Sequence, residues 1–291
     1  MSVPVFHRTT AIGGTEIFYR EAGPADAPVI LLPHGYPCSS YEFRNYMREL
    51  GDEYRLLAPD FPGAGYSATP DAFPYDFDGF ASFLGDFVDH LGLERFALYL
   101  HDFGSQIGLR LAMRDPGRIA ALIVQNGDIY EDTLGPKYDG LKTIWKMERD
   151  HGIAELRKTI TRDHFRDEFL TDVGPALAER IPPDLWELHW ALMTEQRKDI
   201  TARIIYDLKD NLAWFPRYQV WLREHAPPTL ILWGPHDGYM PEAAARAYLR
   251  DLPEAELHLL DAGHWLLETS LDEAVQLTRA FLRRVNRPND S

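Results

Sequence analysis

A carboxylate, a second acid and a histidine stand in this sequence in an order that suits nucleophilic substitution followed by hydrolysis. The first of them, Asp102, lies in Phe96–Gly108, where an apolar run typical of a strand passes within a few residues into helical spacing. A strand that enters a helix this abruptly presents the side chain at the turn above the first N–H groups of the helix. An aspartate in that place can attack a saturated carbon without a base, because it is already an anion at pH 7.

Asp102 also has a purely structural interpretation, since aspartate is a good helix N-cap. The usual strand–turn–helix nucleophile follows the pattern G-x-S-x-G, whereas this chain has aspartate in place of the serine and Leu100 in place of the first small residue. Ser105 is the rival nucleophile. It falls on the first helical turn after the bend, and Phe103 and Ile107 occupy the positions where small residues would be expected around it.

Two later strands end in the other members of the set. Asp237 follows the apolar run Thr229–Gly234, and His264 follows the run Leu257–Leu260. The carboxyl ends of parallel strands meet at one edge of a sheet, so both side chains are expected on the same side as Asp102. Asp128, just after the preceding strand, is the rival for the acid. The structural alternatives are a turn residue for Asp237 and a helix cap for His264.

The elements that must position these side chains alternate between strand and helix. Such alternation predicts an α/β fold with a mostly parallel sheet, helices on both faces, and ligands at the carboxyl ends of the strands. The predicted strands are an edge strand over Thr15–Arg20 and buried strands over Val29–Leu32, Tyr54–Ala58, Phe96–Leu100, Ile119–Asn126, Thr229–Gly234 and Leu257–Leu260, and the predicted helices are Tyr41–Leu50, Phe77–Leu91, the helix after Asp102 and Leu271–Val285.

The alternation pauses for about a hundred residues after the sixth strand, where the pattern is mostly helical and rich in tryptophan. We interpret residues 128–225 as a helical cap domain, inserted into an α/β core domain formed by residues 1–127 and 226–291. An aromatic-rich cap above Asp102 predicts a largely apolar pocket with few polar groups. The expected substrate is therefore a small or medium-sized hydrophobic molecule.

Composition excludes several classes of function. The chain has 291 residues, 45% of them hydrophobic, which suffices for a buried core. Its formal charge of −15 and the lack of a basic block argue against nucleic acid as a partner. No amino-terminal signal peptide and no apolar run near the roughly 18 residues of a membrane span are found, so we expect a cytoplasmic protein that does not insert into membranes. The single cysteine, Cys38, excludes an internal disulfide.

Five pieces of the sequence resemble the aspartate-nucleophile branch of the α/β-hydrolase fold family, which includes haloalkane dehalogenases, fluoroacetate dehalogenases and epoxide hydrolases. They are His34–Pro37, Asp60–Ser67, His101–Gly104, Gly234–Asp237 and Gly263-His264. The chain order of nucleophile, acid and histidine is also that of the family.

The resemblance implies a role for each matching residue. Asp102 is the nucleophile, His264 activates water, and Asp237 orients the histidine. The backbone N–H groups of Tyr36 and Phe103 form the oxyanion hole. Neither a metal nor an organic cofactor is implied, and the expected partners are a small-molecule hydrophobic substrate and water.

The sequence departs from each subfamily at the leaving group. Phe103 replaces the halide-binding tryptophan of haloalkane dehalogenases and the carboxylate-binding arginine of fluoroacetate dehalogenases, and Leu208 replaces the late cap tyrosine of epoxide hydrolases. Tyr138, Tyr206 and His34 are the candidates for substrate binding, with packing as their structural alternative. Epoxide hydrolysis is the favoured hypothesis. Haloalkane or haloacid dehalogenation is the alternative, and a non-catalytic ligand-binding homologue is the alternative of another class.

Overall fold

An eight-stranded sheet is the centre of the molecule in the computed structural model, which describes residues 3–286. Its spatial order is β1-β2-β4-β3-β5-β6-β7-β8. The strands are β1 (Val5–Ile12), β2 (Thr15–Ala22), β3 (Val29–Leu31), β4 (Arg55–Pro59), β5 (Phe96–His101), β6 (Ile119–Gln125), β7 (Thr229–Trp233) and β8 (Glu256–Leu259).

Strands β3 to β8 are parallel, and β1 and β2 form an antiparallel hairpin that pairs antiparallel with β4. The strand predicted over Thr15–Arg20 is present as β2, but the prediction that it lies at the edge of the sheet is wrong. The edge is β1, whose residues pair with β2 from Val5 opposite Ala22 to Ile12 opposite Thr15. Most of the side chains of β1 are exposed, so the strand lacks the apolar pattern that would have revealed it.

Helices cover both faces of the sheet, as the alternating pattern predicted. Strand β5 illustrates why, because its side chains enter two different apolar clusters: Leu98 and Leu100 pack on one face, and Ala97 and Tyr99 pack on the other. Fully burying one large apolar side chain contributes about 1.5–3 kcal/mol. A strand buried on both faces reads as a continuous apolar run. The predicted α/β fold, with a mostly parallel sheet and helices on both faces, is confirmed.

The helices of the core surround this sheet. The structure has α1 (Arg44–Leu50), α2 (Phe77–His90) and α3 (Asp102–Arg114) before the insertion, and α11 (Glu242–Ala247), α12 (Leu266–Thr269) and α13 (Leu271–Val285) after it. Within residues 3–286, every helix is too short or too polar to span a lipid bilayer.

Seven helices lie between β6 and β7, in the stretch where the sequence predicted a helical cap. The guanidinium group of Arg197 attaches them to the core by donating to the backbone carbonyls of Gly65 and Ser67, at 2.8 and 2.7 Å. The helices are α4 (Tyr138–Ile144), α5 (Arg149–Thr159), α6 (Arg162–Leu170), α7 (Pro175–Ala178), α8 (Asp184–Ala191), α9 (Glu195–Asn211) and α10 (Phe215–His225).

The strand order reverses at β3, which pairs with β4 on one side and with β5 on the other. In open α/β sheets, ligands bind in the crevice at such a reversal, beyond the carboxyl ends of the strands. The loop after β3 contains Tyr36, and the turn after β5 contains Asp102. The topology therefore brings these two residues to the place where a ligand is expected.

Candidate active site

Asp102 occupies a strained backbone conformation at the turn between β5 and α3. Its φ is +48°, and a residue other than glycine in the left-handed region costs about 1–3 kcal/mol. The backbone N–H of Asp102 donates to the carbonyl of Asn126 at the end of β6, 3.2 Å away. Gly35 leaves room for the carboxylate, since a Cβ atom on that residue would lie 2.4 Å from Oδ1 of Asp102.

The large residue two positions before the turn is accommodated by a small one on the helix. Leu100 stands where the usual nucleophile motif has a small side chain, and Gly108 faces it from α3. A Cβ atom on Gly108 would lie 2.8 Å from Cδ2 of Leu100. The departure from the motif at Leu100 is therefore compatible with the tight turn.

The carboxylate of Asp102 does not cap α3. Its Oδ1 accepts a hydrogen bond of 2.6 Å from the backbone N–H of Tyr36, and the N-cap position of α3 is held by His101. The N–H of Phe103 belongs to the first turn of α3, whose N–H groups have no partner within the helix. The N–H of Tyr36 thus contacts the carboxylate of Asp102 from the loop after β3, and the oxyanion role of the Phe103 N–H stays a prediction.

His264 lies between two carboxylates. Its Nδ1 is 2.7 Å from Oδ2 of Asp237, and its Nε2 is 3.6 Å from Oδ2 of Asp102. Because the N–H at Nδ1 donates a hydrogen bond to the carboxylate of Asp237, the other ring nitrogen, Nε2, is directed toward Asp102.

The loop after β7 holds the carboxylate of Asp237. Its Oδ1 accepts hydrogen bonds from the backbone N–H groups of Tyr239 and Met240, at 2.8 and 3.0 Å. Burial raises the pKa of this carboxyl, but the charge and hydrogen bond of His264, together with the bonds from Met240 and Asn126, outweigh burial and lower the pKa below its usual value. Asp237 therefore stays ionised beside the imidazole.

The charges around His264 favour the protonated ring. Burial lowers the pKa of His264, but the carboxylates of Asp237, Asp102 and Glu42 outweigh it and raise the pKa to about 9. The protonated ring would face the carboxylate of Asp102, whose Oδ2 is 3.6 Å from Nε2. Removing the charge of Asp102 removes one of the causes that hold this pKa high.

Asn126 is a site residue that sequence reasoning missed. Its side chain donates to Oδ2 of Asp237 at 2.8 Å and to the carbonyl of Gly234 at 2.9 Å, and it accepts the N–H of Gly234. It thereby connects the ends of β6 and β7. A polar residue directly after a buried strand is a signal that could have indicated it, and its φ of +38° suits the tolerance of asparagine for this region.

A second polar group, also missed, supports the backbone of His264. The carbonyl of His264 accepts hydrogen bonds from Gln125 at 3.0 Å and from Nε2 of His101 at 3.2 Å. The other ring nitrogen of His101 faces the buried carboxylate of Glu42 at 3.1 Å. These side chains lie behind the imidazole and fix its position.

The structure places both rivals away from the histidine. Asp128 bonds to the hydroxyl of Tyr138 at 2.6 Å and to the amide of Gln106 at 3.0 Å, and burial raises its pKa to about 7. The hydroxyl of Ser105 is fully buried against Gly127 and has no hydrogen-bond partner among the described residues. Of the two candidate acids, Asp237 and Asp128, Asp237 is therefore the one that contacts His264.

A cavity of about 260 Å³ opens above Asp102 and His264, between the core and the helices of the insertion. Its wall includes the apolar residues Leu141, Ile144 and Leu156. It also includes polar and charged residues, among them Lys137, His164, Glu168, Asp172 and Tyr239.

The three predicted substrate-binding residues differ in their placement. Tyr138 lines the cavity, but its hydroxyl donates to Asp128. Tyr206 lies outside the lining, and its hydroxyl donates to the carbonyl of Met147 at 2.8 Å. His34 faces a separate chamber of about 100 Å³, where it accepts the N–H of Phe61 and occupies the position of a packed core histidine.

The charges around His264 generate a prediction that does not depend on the reaction. We expect Asp102→Asn and Asp237→Asn to lower the pKa of His264 below about 9, because each change removes one neighbouring carboxylate. Asp128→Asn is the matched control, since its carboxylate does not contact the imidazole. NMR titration of the imidazole measures the effect, and an unchanged pKa in Asp102→Asn would contradict the pairing described here.

Comparison with known proteins places the chain in a family. A profile of the α/β-hydrolase fold matches residues 28–271. The chain is 34% identical over 275 residues to the uncharacterized hydrolase YNR064C of Saccharomyces cerevisiae, covering 91% of this chain and 92% of that protein. It is 29% identical over 254 residues to haloalkane dehalogenase 2 of Mycobacterium bovis, covering 84% of each. The structure of epoxide hydrolase CorEH superposes with a TM-score of 0.78 at 18% identity, covering 97% of this chain and 100% of that chain. The chain therefore belongs to the α/β-hydrolase fold family, is similar in sequence to a haloalkane dehalogenase, and shares its fold with an epoxide hydrolase.

Proposed function

We propose that this protein hydrolyses an epoxide through a covalent ester on Asp102. The observation that carries the proposal is the strained turn that holds the Asp102 carboxylate against the imidazole of His264, with Asp237 behind the ring. This arrangement joins a charged nucleophile to the group that can activate water beside it. Asp102 supplies the nucleophile, His264 and Asp237 supply the base, and water supplies the second attacking oxygen, so neither a metal nor an organic cofactor is implied.

In the first half-reaction, a carboxylate oxygen of Asp102 attacks a ring carbon of the epoxide. The carbon–oxygen bond of the ring breaks, and the electron pair goes to the ring oxygen, which is protonated to an alcohol. The imidazolium of His264 gives up one proton in the same half-reaction. The product is a neutral ester beside a neutral imidazole.

The second half-reaction depends on the loss of the Asp102 charge. Once that carboxylate is an ester, the pKa of His264 falls, and the neutral ring becomes a base for water. The hydroxide attacks the ester carbonyl, and the N–H groups of Tyr36 and Phe103 stabilise the oxyanion. Collapse releases the diol, and the carboxyl proton returns to His264. The site then has the charges with which it began.

The side chains near Asp102 favour an epoxide over an alkyl halide. A departing halide needs N–H or O–H donors, and the ring of Phe103 has none. Trp265 lines the cavity, but its indole N–H donates to the backbone carbonyl of Glu168 at 3.1 Å. An indole that is already engaged in this way is a poor halide ligand.

The charges on the cavity wall also disfavour a haloacid. The carboxylates of Glu168 and Asp172 lie there, and Lys137 is paired with Asp172 at 2.7 Å. In the described part of the chain, no arginine lines this cavity to bind a substrate carboxylate. An anionic substrate would meet net negative charge, whereas a neutral epoxide would not.

Carbon–halogen cleavage is the second candidate, and the dehalogenase relative at 29% identity supports it. A panel of epoxides, haloalkanes and haloacids separates the candidates. Diol formation marks epoxide opening, and release of halide with a proton marks dehalogenation. A protein that binds members of the panel without turnover would be a non-catalytic homologue and would overturn the proposal.

The nucleophile is tested by comparing two variants. Asp102→Ala should abolish turnover of any accepted substrate, because no ester can form. Ser105→Ala should retain most of the activity, since the serine hydroxyl is buried away from the cavity. If Asp102→Ala were active and Ser105→Ala inactive, the nucleophile would be Ser105 and the protein would be an acyl-transfer enzyme instead.

The acid is tested by comparing Asp237→Asn with Asp128→Asn. Asparagine at 237 keeps the shape of the side chain but favours the wrong tautomer of His264. The equivalent change lowers the catalytic rate of a serine protease by about 10⁴-fold. Asp128→Asn should reduce the rate far less, because Asp128 bonds to Tyr138 and Gln106. Steady-state rates decide, and a greater loss in Asp128→Asn would assign the acid to the end of β6.

The two half-reactions are separated by His264→Gln. This variant keeps the nucleophile, and the ring oxygen can still take a proton from water or from a hydroxyl of the site. It cannot activate water for the second step, so the ester should accumulate. Mass spectrometry of the peptide that contains Asp102 should show an adduct, whose mass also identifies the leaving group. An epoxide adds its whole mass, whereas an alkyl halide adds its mass less that of the hydrogen halide. Consumption of substrate by the wild type without an adduct in the variant would refute the covalent mechanism.

A further inference from the structure

We propose that the hydroxyl of Tyr36 is the hydrogen-bond and proton donor to the epoxide oxygen, so that the core supplies the donor expected from the cap. This inference rests on the proposed function and assigns a side-chain role to a residue whose backbone N–H was the expected contribution. It starts from the opening step, in which negative charge develops on the ring oxygen. A donor placed for that charge lowers the barrier of the step.

The hydroxyl groups near the cavity differ in whether they are already engaged. Tyr138 donates to Asp128, Tyr206 to the carbonyl of Met147, and Tyr239 to Glu168. The hydroxyl of Tyr36 is buried and has no hydrogen-bond partner among the described residues. Since buried polar groups are nearly always paired, an unpaired hydroxyl on a residue that lines a cavity is a candidate donor to a ligand bound there.

The position of Tyr36 suits this role. Its backbone N–H bonds to the carboxylate of Asp102 at 2.6 Å, and its side chain lines the cavity that contains Asp102 and His264. The ring stacks on Phe103 with centroids 6.1 Å apart and meets the edge of Phe165 at 6.0 Å. Both neighbours hold the ring by apolar contact and offer no acceptor to its hydroxyl.

The surroundings also keep the hydroxyl protonated. Burial and the negative charges of Glu168 and Asp102 raise the pKa of Tyr36 well above its ordinary value. The ring oxygen takes the proton of Tyr36, and the phenolate regains a proton from the imidazolium of His264 through water, because the hydroxyl and the imidazole share no direct hydrogen bond. The neutral histidine is then the base that the second half-reaction needs.

The test measures how fast an ester forms on Asp102 in the His264→Gln background. The probes are 1,2-epoxybutane and styrene oxide, followed by mass spectrometry of the Asp102 peptide. Adding Tyr36→Phe should slow formation of the adduct by about 10²–10³-fold, the usual effect of losing one such donor. Tyr206→Phe, which removes a hydroxyl bonded to Met147, should leave the rate within a few-fold of the parent.

A leaving-group comparison distinguishes proton donation from loss of structure. The 4,4,4-trifluoro analogue of 1,2-epoxybutane releases a less basic alkoxide, so its penalty from Tyr36→Phe should be smaller than that of the parent epoxide. Equal penalties would mean that Tyr36 acts only through packing, and an unchanged rate would also overturn the inference. Absence of any epoxide adduct when Tyr36 is intact would instead refute the proposed function.

Discussion

An imidazole ring placed between two carboxylates is the interaction on which the site depends. Asp237 binds one ring nitrogen and Asp102 faces the other, and together with Glu42 they hold the pKa of His264 near 9 despite burial. Burial alone would favour a neutral ring. The ion pair therefore exists only while both carboxylates keep their charge. Any chemistry that neutralises Asp102 changes the protonation of the histidine at the same time.

The fold provides this arrangement by aligning the ends of neighbouring strands. Asp102 follows β5, Asn126 follows β6, and Asp237 follows β7, so that hydrogen bonds run from the first turn to the third through Asn126. His264 follows β8 and reaches back across β7. The strain at Asp102 is stable because these cross-strand bonds over-determine the turn. The same bonds leave little freedom for the distance between nucleophile and histidine.

Local patterns in the sequence predicted most of the strands and helices and the residues at the strand ends. The features they missed depend on pairing between residues far apart in the sequence. Buried strands and amphipathic helices such as Leu271–Val285 are visible in the apolar spacing, and the positions of Asp102, Asp237 and His264 followed from strand ends. The exposed edge strand β1 has no such pattern. Asn126 acts on a residue 111 positions away, so no short segment encodes its bond.

The direction of a side chain is a further property that spacing does not encode, and the tyrosines illustrate its consequence. Tyr138 and Tyr206 belong to the helices above the site, as expected of cap residues, but a hydroxyl has one proton to donate and theirs are directed to Asp128 and Met147. A substrate oxygen could recruit either hydroxyl only by breaking that bond, which costs the acceptor one of its hydrogen bonds. Among the described residues, none is bonded to the hydroxyl of Tyr36. The proposed donation by Tyr36 would therefore gain a hydrogen bond without breaking another, whereas donation by Tyr138 or Tyr206 would first break one.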